Sequence, residues 1–164
     1  MNNFKNWLIS LLTLLLAFIL YSLLGAVDPA LIMLINPFVV AVFFASVIYG
    51  EVAGLLMGTA AGLIQDAFSY GVFGLAGFSY TISGFLAGWF SQKLSLNSFN
   101  KRFLFSFFFA LFQLSLWITL YALIFKKSIL YTQPFIYLQT VVTALLVSGL
   151  VWLFRKLKSK EETD

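Results

Sequence analysis

Asp28, Asn36, Glu51, Gln65 and Asp66 are the residues of this chain whose types could do chemistry within its apolar body. None of them has the partners that catalysis requires. The sequence contains no His and no Cys, which removes the commonest general base, the thiolate nucleophile and the usual transition-metal ligands together. Its serines have no imidazole to activate them. Glu51 and Asp66, placed on one helix, would stand roughly 22 Å apart along its axis and could not share a proton. No enzymatic activity, metal or cofactor is expected. What remains is recognition: an ionisable group at membrane depth is costly and usually faces a protein interior, a cavity or water. Asp66, with Gln65 beside it and Asn36 in the preceding span, is therefore the candidate polar site. The alternative for Asp66 is an acid at the headgroup level that only solvates a helix end.

The strongest spacing signal is in glycine. Gly50, Gly54, Gly58 and Gly62 recur every four residues, Asp66 continues the series, and Ala53, Ala60 and Ala61 widen the strip. In lipid, helices associate through close van der Waals contact, and a face without side chains lets two backbones approach. Gly77, Gly84 and Gly88 repeat the theme in the next segment, so the two segments should form a tight helical hairpin. The first of them is expected to be central in the bundle. Packing within the chain and a seam between subunits of a homo-oligomer both use such faces.

These residues are carried by a chain that is 62% hydrophobic and 10% charged, with a mean hydropathy of +0.99. That composition belongs to a membrane protein, and apolar runs of the roughly 20 residues a span needs fill the whole length. Backbone groups in lipid must be paired internally, and the runs lack the alternation of a barrel, so the fold class is all-α. Six spans are expected, at about 7–26, 30–48, 51–68, 72–90, 103–125 and 134–154, forming one transmembrane domain over 1–164. The first is too long an apolar run for a secretory signal and is read as an uncleaved span. Pro29 and Pro134 fit first helical turns. Pro37 should kink the second span, with Asn36 bonding groups freed there.

Six spans put both ends on one side, together with Lys5, Lys93, Lys101, Arg102, Arg155, Lys156, Lys158 and Lys160, against Lys126 and Lys127 opposite. This bias places both termini in the cytoplasm. A re-entrant second segment would give five spans and a poorer split that leaves Lys5 outside. Trp7, Trp89 and Trp152 fall near span ends, as an interfacial belt requires, whereas Trp117 lies nearer mid-span. The basic residues cluster at helix ends near anionic headgroups, which points to membrane lipids as partners and not to nucleic acid.

The stretch from Gly50 to Gly88 resembles the core of the bacterial rod-shape family MreD: a glycine-rich helix ending in Gly62, Leu63 and Asp66, a short turn, then Gly74, Leu75 and a small-residue helix through Gly84. The resemblance implies a non-enzymatic scaffold in the bacterial cytoplasmic membrane, a subunit of the cell-elongation complex. Its implied partners are MreC and, through it, MreB and the transglycosylase and transpeptidase of peptidoglycan synthesis. It also implies a six-helix bundle like the substrate-binding S-components of energy-coupling-factor vitamin transporters. Such a vitamin-binding component is the alternative function, although the Ala-x-x-x-Ala docking motif of those proteins is replaced here by Ala17 and Tyr21.

Overall fold

A computed structural model describes residues 2–68, 73–126 and 134–161. Every element among them is helical: α1 (Asn2–Val27), α2 (Pro29–Leu34), α3 (Pro37–Tyr49), α4 (Glu51–Phe68), α5 (Leu75–Lys93), α6 (Phe99–Phe125), a 3-10 turn (Pro134–Tyr137) and α7 (Leu138–Glu161). Four stretches, Trp7–Val27, Pro29–Tyr49, Phe99–Phe125 and Leu138–Lys160, are long and apolar enough to cross a membrane. The chain is an all-helical membrane protein. α4 and α5 are not among the four, because glycine, hydroxyl and amide residues together with Glu51 and Asp66 dilute their apolar content.

Asn36 and Pro37 do more than bend the second apolar segment. α2 ends at Leu34, and α3 starts afresh with Pro37 in its first turn and Asn36 as its N-cap. The Asn36 Oδ1 accepts from the amides of Phe38 at 3.1 Å and Val39 at 3.4 Å. Asn36 thus caps new amides where sequence reasoning expected it to repair a continuous helix. Proline without an amide proton fits the first turn, and a side chain accepting from the next amides completes a helix start. Asp28 and Pro29 open α2 in the same way, with Asp28 Oδ1 accepting from the Ala30 amide at 2.8 Å.

α3 is the central helix. All of Pro37–Ser46 is buried, and α3 packs against α1, α4, α5 and α7. Aromatic pairs mark two of these seams, Tyr21 with Phe38 at 5.0 Å between ring centres and Phe44 with Phe154 at 5.6 Å. The expectation that the glycine helix would be central is therefore corrected: α4 has packed neighbours in α3 and α5, as expected, but leaves Val52, Leu56 and Leu63 exposed on its other side. Bulky Val and Phe side chains fill the middle, while the glycines make one tight seam.

Other boundaries move as well. The fifth helix starts at Leu75 and not at 72, because Gly74 takes a left-handed conformation, φ +96°, as its N-cap. α6 begins at Phe99, ahead of the expected 103. α7 runs through the basic segment to Glu161 instead of ending at 154; Lys and Arg are good helix formers and suit a helix C-terminus.

Candidate functional site

The glycine strip is consumed inside the molecule. α4 and α5 lie backbone to backbone: a Cβ on Gly54 would overlap the Gly84 carbonyl, one on Gly58 the Tyr80 carbonyl, and one on Gly62 the main chain of Gly77. In return, a Cβ on Gly84 would meet the Gly54 carbonyl, and one on Gly88 the main chain of Glu51. Gly77 is looser, facing the Leu63 side chain at 3.2 Å. Gly50 ends α3 with φ +90° and has no room on its Cβ side beside Gln92.

Hydroxyls stitch the seam where the side chains are small. Ser46 of α3 lies 2.9 Å from the Gly84 carbonyl and 2.8 Å from that of Val42, and its hydroxyl donates there. Thr59 and Thr81 pair across α4 and α5 at 2.9 Å. Ser91 donates toward the Ser46 carbonyl at 3.2 Å. These bonds satisfy polar groups that lipid would leave unpaired.

Asp66 closes this hairpin. Its side chain is buried and accepts three backbone hydrogen bonds at the start of α5: Oδ2 from Gly74 at 3.0 Å and Gly77 at 2.9 Å, Oδ1 from Ala76 at 3.0 Å. A carboxylate at a helix N-terminus meets unpaired amides and the positive end of the helix dipole. Asp66 is therefore a cap reaching across from the neighbouring helix. It is not a solvated acid at the membrane surface.

Of the three candidate polar residues, the structure brings Asn36 and Gln65 together and turns Asp66 to another task. Asn36 Nδ2 donates to Gln65 Oε1 at 3.0 Å and toward the Tyr80 hydroxyl at 2.9 Å, and Tyr80 donates to Gln65 Oε1 at 2.8 Å. Three helices, α3, α4 and α5, meet in this triangle. It borders a cavity of about 170 Å³ lined by Gln113, Trp117 and Gln139 as well as apolar side chains of α2 and α6. Among the described residues every polar group lining it is uncharged, so it suits a hydrogen-bonding guest.

Sequence reasoning missed Tyr80, Gln113 and Gln139. Tyr80 shares the helical face of Gly77 and Gly84, and each of the two glutamines interrupts an apolar span, which was the available signal. Their convergence depends on contacts between distant segments that spacing alone does not reveal.

A second concavity, about 500 Å³, lies between α1 and α4, lined by Trp7, Leu11, Leu14, Tyr49, Val52 and neighbouring small residues that include Ala53 and Ala60. Most of the large side chains of α1 are exposed, so this helix adds little cover to the bundle. Trp7, Trp89 and Trp152 are all exposed, with Lys93 over the Trp89 ring at 3.4 Å; α7 runs on past Trp152 to Glu161, so that residue is not at a helix end as the sequence suggested. Trp117 is half-buried, stacks on Tyr121 at 5.4 Å and faces the polar cavity.

Residues 1–157 match the family model described as rod shape-determining protein MreD. No curated protein and no solved structure matches the chain.

Proposed function

Because the chain belongs to the MreD family of rod shape-determining proteins, we propose that it is a non-enzymatic scaffold subunit of the bacterial cell-elongation complex, docking an MreC-like membrane protein and so positioning peptidoglycan synthesis. In this reading it lies in the cytoplasmic membrane as a six-span bundle with both termini in the cytoplasm. MreB and the wall-building transglycosylase and transpeptidase are reached through the partner.

The family match over nearly the whole chain carries the proposal. The geometry supports a particular docking surface. The glycine faces of α4 and α5 are already occupied by each other, so a partner's transmembrane helix must be received elsewhere. The α1/α4 cleft is apolar, large and bordered by Ala53 and Ala60, whose small side chains allow close approach. Ala53→Trp together with Ala60→Trp fills it without touching the α4/α5 seam.

The test is affinity purification from native membranes. Co-purification of a single-span protein with a periplasmic coiled coil, lost in the double tryptophan variant, is the expected result. Recovery of an ATPase module in its place would overturn the scaffold reading. One observation favours the second reading, a vitamin-binding transporter component: the uncharged cavity bordered by Asn36, Gln65 and Tyr80. A vitamin retained through purification, and released by Tyr80→Phe with Gln113→Leu, would move the assignment to that class.

A further inference from the structure

At the end of the molecule that carries Lys93, Arg155 and Lys156, the first turn of α6 is electrostatically inverted. Its N-cap, Ser98, makes no side-chain capping bond, and the turn holds no acid. It carries Lys101 and Arg102 instead. Amides of a first turn have no acceptor within their own helix, and cations there oppose the helix dipole. Both features are unfavourable unless an anion sits at the same place.

Arg102 supplies the independent observation. Its side chain is 5% exposed, its Nε has no hydrogen-bond partner, and among the described residues no carboxylate pairs with it. Arginine is almost never this buried without a counter-charge. Arg102 lies in the first turn of α6, within electrostatic reach of Arg155. Ahead of α6, Arg155 of α7 donates through Nη1 to the Leu96 carbonyl at 3.1 Å, and the two like charges act on each other. Two forked donors and the uncapped amides of a 27-residue helix are therefore gathered at the same end of the molecule.

We propose that this pocket of Arg102, Arg155 and the α6 N-terminus binds one phosphate-bearing group, supplied by the headgroup of an anionic phospholipid. Arginine forks match phosphate oxygens, and helix N-termini receive the same group. The lipid source follows from position: Trp89 with Lys93, and Trp152 with Lys156 at 5.0 Å, mark this end as a membrane interface. Exposed Leu104 and Phe108, four residues apart on the outward face of α6, offer an apolar surface below this end of the helix for acyl chains. The proposal stands independently of the docking partner.

The experiment uses the full chain in detergent, with native mass spectrometry and thermal melting, and with phosphatidylglycerol, phosphatidylcholine and inorganic phosphate as probes. One phosphatidylglycerol per chain should be retained, at least ten-fold more than phosphatidylcholine. Arg102→Gln and Arg155→Gln should each reduce that retention about ten-fold, while the exposed Lys158→Gln leaves it unchanged. Without lipid, Arg102→Gln should melt no lower than the parent, since it removes an unpaired buried charge; phosphatidylglycerol should then raise the melting point of the parent alone. Arg102→Lys, which keeps the charge and loses the fork, should be intermediate and serves if Arg102→Gln does not fold. Equal retention by the parent and both arginine variants overturns the site. Displacement of the lipid by millimolar inorganic phosphate, with equal stabilisation, overturns the lipid assignment.

Discussion

Asp66 shows how a single side chain can look functional in sequence and prove architectural in the fold. A lone acid in an apolar hairpin reads as a binding group, yet its carboxyl oxygens are spent on the Gly74, Ala76 and Gly77 amides. Asp66→Asn should lower stability in detergent by about 2 kcal/mol, because one amide oxygen cannot serve three donors and its NH₂ group opposes one of them. Unfolding measured by SDS titration or melting checks this; an unchanged midpoint would remove the capping role. At the polar triangle, Tyr80→Phe should cost about 1 kcal/mol, since Asn36 and Gln65 keep their mutual bond. Asn36→Ala should cost more, about 2 kcal/mol, because it also uncaps α3. Asn36 and Gln65 were legible as polar residues in an apolar setting. Tyr80 was not, because a tyrosine among many aromatics signals nothing until its hydroxyl is seen between helices.

Among the elements, the α4/α5 hairpin was the most legible, since four-residue glycine spacing has few other uses in a lipid-facing helix. The α4 helix has the expected ends, Glu51 and Phe68. The break before α3 was only half legible: Pro37 announced a disruption, but whether a helix kinks or restarts depends on whether a neighbour satisfies the loose ends, and the Asn36 bonds decide it. Two glycines of the hairpin should fail in different ways. Gly58→Ala meets main-chain atoms of Tyr80 and Thr81, and overpacking of this kind should cost about 1–3 kcal/mol and loosen the pair. Gly74→Ala meets no atom, but φ +96° disfavours any Cβ, for about 1–2 kcal/mol. Asn at 74 should recover part of that loss and Asn at 58 none, which melting curves of the four variants will separate.

At the scale of the whole molecule, charge bias predicts both termini in the cytoplasm. The natural absence of Cys makes this directly testable. In spheroplasts, a membrane-impermeant maleimide should label Ala30→Cys between α1 and α3 and leave Asn97→Cys, between α5 and α6, unlabelled until the membrane is opened. The opposite pattern would invert the protein. Composition revealed the all-helical membrane class, because 62% hydrophobic residues leave little alternative. It could not reveal which helix is central, since burial of α3 follows from who its neighbours are, and a lipid-facing run such as α1 is just as apolar.

The modest hydropathy of α4 and α5 also bears on biogenesis. Each segment alone gains little by leaving the translocon, whereas the pair hides its glycine and threonine faces in one another and presents Val52, Leu56, Phe78 and Phe85 outward. On the proposed six-span reading, insertion of the two is a concerted event that waits for synthesis to pass Lys93, and a ribosome stalled shortly after Phe68 should leave α4 unintegrated and open to degradation.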